Sequence, residues 1–124
     1  MTKIHLIIIG LDWQTTEYNV LTNQENLKNS VFLPYELELS DDEDPEFVAK
    51  KIFSGICTIS TDWIDLNIVS AIRNEETKDL EITYSCVIPN DSNIPEEHKW
   101  LSVNEPGIQF KNFSNLMKSI RGID

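Results

Sequence analysis

Between Lys3 and Leu11 the chain reads Lys-Ile-His-Leu-Ile-Ile-Ile-Gly-Leu, a nearly continuous apolar run rich in β-branched side chains. A strand with one wet face alternates polar and apolar residues, so a run of this kind belongs to a strand covered on both faces. It therefore requires structure above and below it. At 124 residues the chain can build one such core and is too short for two, which makes residues 1–124 a single expected domain.

The rest of the pattern supplies the covering elements. Glu17 to Leu21 alternates weakly and can pair with the first strand, before a polar stretch from Thr22 to Ser30 that reads as a loop. Val31-Phe32-Leu33-Pro34 is a short apolar run that Pro34 ends or places at an edge. Glu36 to Glu46 holds seven carboxylates and no base, and Leu37 and Leu39 alternate with Glu36 and Glu38 as in a strand with one wet face. Asp44-Pro45-Glu46 then opens a helix: Asp44 can accept from free amides, Pro45 suits the first helical position, and acids favour the positive end of the dipole. The helix is expected to reach about Ser54, with Val48, Ala49, Ile52, Phe53 and Ile56 as its core stripe and Gly55 in the left-handed turn that ends it.

Beyond Trp63 strands return. Leu66 to Ile72 and Leu80 to Ile88 form a hairpin, Pro89 to Glu97 a loop, and His98 to Val103 a last short strand. A closing helix begins at Asn112, carries Phe113, Leu116, Met117 and Ile120 on one stripe, and stops at Gly122. The fold class is α+β, an α/β/α sandwich in which a mixed β-sheet is flanked by the helix after the acidic loop and by the C-terminal helix.

The acidic and basic side chains number 21 and 10, and the resulting net charge of -11 repels nucleic-acid phosphates and anionic lipid surfaces. Direct binding to nucleic acid or membrane is disfavoured; a basic partner surface is not. Cys57 and Cys86 lack metal-type spacing and read as two buried free thiols. The early apolar run is far shorter than the roughly 18 residues that span a bilayer and lacks the form of a secretory signal, so a cytoplasmic location is expected. His5 and His98 stand alone, with no neighbouring Cys or His, and read as structural. The run Asp41-Asp42-Glu43-Asp44 has neither the alternate spacing nor the glycine of a calcium loop and reads as a solvated helix start. Trp13 follows the central strand and precedes polar residues, which makes it a candidate at a pocket mouth.

The order of elements, with Leu33-Pro34, Glu43 to Thr58, the hairpin and Lys99-Trp100-Leu101, resembles the Nudix family over nearly the whole chain. The resemblance keeps the spacing of the family's signature box and loses its chemistry. Leu37 stands at the first glycine, Glu43 at the first glutamate, Pro45 and Ala49 match common box residues, and Lys51 replaces the arginine. Ile52, Gly55 and Ile56 occupy the remaining glutamate positions, and Thr58 the final glycine. In the family those glutamates share one helix face and converge on the divalent ions that neutralise a diphosphate during hydrolysis. Isoleucine offers no oxygen, so the resemblance implies no catalytic residue, no metal site and no cofactor. It implies instead a catalytically inactive Nudix-like domain that binds a protein partner or a small ligand. Tyr35, Glu36 and Glu43, with Trp13, are the candidate ligand-binding residues, and Ile52 and Ile56 mark a candidate interface, covered by this chain or by a partner. Two other readings stand beside it: a divergent metal-dependent hydrolase of nucleoside-diphosphate type using Glu36, Glu38 and Glu43, and an acidic interaction protein that occupies a partner's basic surface.

Overall fold

The apolar run forms the central strand, β1 (Thr2–Leu11), and the other elements are arranged around it. In chain order they are β2 (Tyr18–Asn23), β3 (Val31–Phe32), β4 (Tyr35–Leu39), α1 (Pro45–Ile56), a 3₁₀ turn (Thr61–Trp63), β5 (Asn67–Arg73), β6 (Leu80–Pro89), β7 (His98–Ser102) and β8 (Gln109–Phe110). The computed structural model describes residues 1–12, 14–15, 18–23, 31–32, 35–40, 42–89, 94, 96–102 and 109–110.

The main sheet runs β5-β6-β1-β2-β7, with β4 joined to it through β1, and β3 pairs with β8 in a separate two-stranded sheet. One edge of β1 is taken along its whole length by the parallel strand β6, from Thr2 opposite Leu80 to Leu11 opposite Pro89. The other edge is shared. β4 runs antiparallel along Thr2 to Leu6, and β2 antiparallel along Ile9 to Leu11, so the sheet forks at Ile7 and Ile8.

Partners opposite each other in a sheet share a face. One face presents Ile4, Leu6 and Ile8 of β1, Tyr84, Cys86 and Ile88 of β6 and Leu21 of β2, which pack with Val48, Ala49, Ile52 and Phe53 of α1 and with Ile64 into one core. Burial of each large apolar side chain contributes roughly 1.5–3 kcal/mol. Ile7, Ile9 and Val20, on the opposite face, are buried as well, so β1 is covered on both sides as its composition demands. His5 is the polar member of that second face, and its Nε2 lies 3.0 Å from Glu81 Oε1. Asn74 Nδ2 donates to the other oxygen of Glu81 at 3.3 Å.

The hairpin between β5 and β6 closes through Asn74, whose Oδ1 accepts from the N–H groups of Glu76 and Thr77 at 2.9 and 3.2 Å. Lys78 takes a left-handed backbone with φ of 64°, and its N–H donates to Asn74 O at 2.8 Å.

Several boundaries differ from the sequence expectation for physical reasons. α1 runs two residues past Ser54, to Ile56, and Gly55 is helical rather than the turn that ends it. The extra turn lets Ile56 pack against the core, and the stop falls at Cys57, extended, whose N–H donates to Phe53 O at 2.8 Å. β2 starts one residue later than Glu17 and continues to Asn23, because Asn19 to Asn23 pair with Ser102 to His98 of β7 and Thr22 is buried. The 3₁₀ turn, capped by the Ser60 hydroxyl accepting from Asp62 N–H, and the pairing of β3 with β8 have no counterpart in the sequence expectation. Pro34, Asp41 and the closing helix from Asn112 lie outside the described residues.

Replacing Phe53, fully buried under the sheet, by alanine is expected to cost about 3–5 kcal/mol in urea unfolding. Asp44→Ala, which removes the carboxylate that accepts from Glu46 N–H at 2.9 Å, is expected to cost about 1 kcal/mol. Equal losses for the two variants would contradict a helix held chiefly by its apolar face.

Candidate functional site

Glu43 is the acid of the box that is present, and the structure commits both of its oxygens. The turn before α1 folds back so that Glu43 N–H donates to Ser40 O at 3.1 Å, while Ser40 N–H donates to Glu43 Oε1 at 3.2 Å. Eight residues along, two turns into the helix, Lys51 Nζ donates to Glu43 Oε2 at 2.6 Å. The Lys51 ammonium first, and the Ser40 donor next, hold the Glu43 carboxyl below its ordinary value. Lys51 also lies 5.1 Å from the centroid of the exposed Phe47 ring. The pair ties the acidic turn to the helix, and Glu43 has no free oxygen directed at a ligand.

The other box positions divide between core and open solvent. Ile52 is 6% exposed and belongs to the chain's own core, and Ile56 is half-buried against that core. Over Ile52 the covering is supplied by the chain itself, through the strands below α1. Gly55 is exposed, and a Cβ added there would meet nothing within 4 Å. Thr58 is exposed as well. The exposed surface of the C-terminal half of α1 thus consists of Lys51, Ser54 and an open glycine, with no carboxylate. Among the described residues no group of three His, Cys, Asp or Glu side chains is placed to hold a metal ion.

Tyr35 and Glu36, expected together at the start of a ligand-facing loop, are consecutive residues of β4 and point to opposite faces of the sheet. Tyr35, opposite Leu6, turns toward the core. Glu36, opposite His5, is exposed on the far side, where Lys3 Nζ lies 3.4 Å from its Oε1. Glu36 raises the Lys3 ammonium above its ordinary value, chiefly by its charge. Trp13 lies outside the described residues.

The contact that the sequence does not announce joins Tyr35 to His98. The Tyr35 hydroxyl is 2.6 Å from His98 Nδ1, and the rings meet edge to face at 5.3 Å between centroids. Burial, and then the nearby Cys57 thiol, push the Tyr35 phenol far above its ordinary value. The phenol therefore keeps its proton, and on the far side of the ring His98 Nε2 lies 3.9 Å from Glu97 Oε2. The bond spans the fork from β4 to β7, between residues 63 apart in sequence. Local pattern carries no signal for it, because only the shared edge of β1 brings the two strands together. Half-buried Trp100 and Ile94 pack against the same core, while Cys57 and Cys86 are buried free thiols. An open cleft of about 770 Å³ lies elsewhere, at the far end of β4, bounded by Met1, Thr2, Glu38, Leu39 and Ser40.

No protein-family model matches the sequence, and no curated protein matches it either. Solved structures do match. The Ap4A hydrolase of C. elegans, in a binary complex, superposes with a TM-score of 0.66 at 11% identity over 98% of both chains. RenU, a Nudix hydrolase from M. smegmatis, gives 0.65 at 11% identity, over 98% of this chain and 87% of that one. The Nudix domain of Shewanella oneidensis NrtR, complexed with ADP ribose, gives 0.63 at 10% identity, over 97% and 88%. NrtR is also solved with a 27mer DNA, where this chain covers 61% of it. The chain has a Nudix-like fold, as its element order implies. No helix among the described residues is long and apolar enough to cross a membrane.

Burial raises both thiols, Cys86 up to about 12 from 9.0. A thiol that binds its proton more tightly in the fold contributes stability that is present below about 9 and lost as pH rises toward about 12. Urea unfolding is expected to show stability falling between about pH 9 and about pH 12, with a shallower slope in Cys86→Ala. A thiol reagent at mildly alkaline pH is expected to titrate both cysteines only once the chain unfolds.

Proposed function

We propose that this chain is a non-hydrolytic Nudix-like domain that acts by binding, as a protein-interaction or small-ligand module. The observation that carries the reading is the state of the box: Ile52 lies in the core, Gly55 faces open space, Ile56 is half-buried, and Glu43 is engaged by Ser40 and Lys51. Metal-assisted hydrolysis of a diphosphate needs a hard cation with about six oxygen ligands, held where it can neutralise the phosphates. An aliphatic helix face supplies none.

A hydrolase built from loop carboxylates fits the geometry less well. Glu36 and Glu38 lie opposite His5 and Lys3, on the sheet face away from α1, whereas Glu43 sits at the start of α1 with its oxygens engaged. Those acids do not converge on one point. The ADP ribose complex of the NrtR domain supports the idea that this fold can serve as a binding site. For this chain, a net charge of -11 without a metal favours a neutral, cationic or polypeptide ligand over a free diphosphate or a nucleic acid. A cytoplasmic setting is in keeping with two free thiols.

Calorimetric titration with magnesium and with manganese is expected to give only weak, non-saturating heats. Incubation with nucleoside diphosphate derivatives and either metal is expected to release no product. Saturable metal binding, together with hydrolysis lost in Glu43→Gln, would overturn the proposal.

A further inference from the structure

The main sheet leaves different edges open. Among the described residues β5 pairs only with β6, β7 only with β2 and β4 only with β1, and β7 (His98–Ser102) carries Lys99 and no acid. An unpaired edge is a template for an added strand unless it is blunted by a bulge, a proline or charge. β5 is blunted: its register slips between Ile68 and Ser70, so its backbone groups do not present a regular ladder. β4 is not. Its register with β1 runs without interruption from Leu39 opposite Thr2 to Tyr35 opposite Leu6. Tyr35 and Leu39 pack against the core and anchor the strand, while Glu36, Leu37 and Glu38 between them are exposed.

Side-chain alternation selects what this edge accepts. Glu36 and Glu38 share the face opposite α1, and Leu37, 43% exposed, lies on the α1 face. A second copy of this chain is a poor occupant, since an antiparallel pair of β4 strands centred on Leu37 sets Glu36 directly against Glu38 at both ends. A cationic strand meets the opposite field. The acids Asp42, Glu43 and Asp44 follow within a few residues, and at 45% exposure the Glu36 carboxylate stays accessible beside Lys3. The open cleft bounded by Met1, Thr2, Glu38, Leu39 and Ser40 lies at the end of the β1–β4 pair.

We infer that the outer edge of β4 takes up an extended basic peptide as an added strand, with lysine or arginine at alternate positions against Glu36 and Glu38 and an apolar residue between them over Leu37. Main-chain hydrogen bonds to β4 supply the attachment, and the charge pattern supplies the choice of partner. The inference deepens the binding-module reading. The metal titration reads cation binding and the peptide titration reads strand addition, so the two can fail separately.

The test is fluorescence polarisation with a labelled peptide, Thr-Val-Lys-Val-Lys-Val-Thr, against the full chain. Saturable binding that weakens with salt is expected, and the same peptide with glutamate for lysine is expected not to bind. In the protein, Glu36→Lys combined with Glu38→Lys is expected to weaken the lysine peptide by about tenfold or more and to admit the glutamate peptide. Two further peptides, N-methylated at alternate amides in opposite phase, separate strand addition from simple charge attraction: only one phase is expected to lose binding. Equal binding by both phases, an unchanged affinity in the doubly reversed variant, or no binding of the lysine peptide would each overturn the inference.

Discussion

Everything in this fold depends on how β1 divides its two edges. A strand covered on both faces can exchange no backbone group with water, so each of its N–H and C=O groups needs a partner in the sheet. The parallel strand β6 satisfies one edge over ten residue pairs, from Thr2 to Leu11. The other edge serves β4 and then β2, and the change of partner at Ile7 and Ile8 opens the fork. The fork brings Tyr35 within reach of His98. Among the described residues it also leaves β4 as a branch paired with β1 alone, and Glu36, Leu37 and Glu38 are exposed.

α1 is held in two ways. Val48, Ala49, Ile52 and Phe53 are all buried, so its apolar face packs against the sheet and supplies most of its stability. Glu43 and Lys51 join the turn before the helix to a residue two turns along it, which fixes the path by which the chain enters α1.

Particular residues show where sequence reasoning held and where it stopped. Asp44-Pro45 marked the helix start because the cap acts over two residues, and Asp44 does accept from Glu46 N–H. The helix end was misplaced because Gly55 is only permissive: it can end a helix, but a neighbour with apolar surface to bury, Ile56, carries the helix past it. β2 was too short in the sequence reading because its last residues gain their order from β7, almost eighty positions away. Tyr35 and Glu36, expected at the start of a loop, are strand residues, and the pleat sends them to opposite faces of the sheet.

By itself the sequence determined the doubly buried strand, the acidic balance of the chain, the capped amphipathic helix and the Nudix-like fold class. The first three follow from composition and short-range periodicity, which the chain carries whatever its surroundings. Only the tertiary structure decided that Ile52 is covered by the chain's own sheet, that Tyr35 meets His98, and that among the described residues β4 pairs with β1 alone while the register of β5 slips. Those outcomes depend on which strands share the edges of β1. That choice is made by long-range hydrogen-bond pairing and packing together, and no local window of residues encodes it.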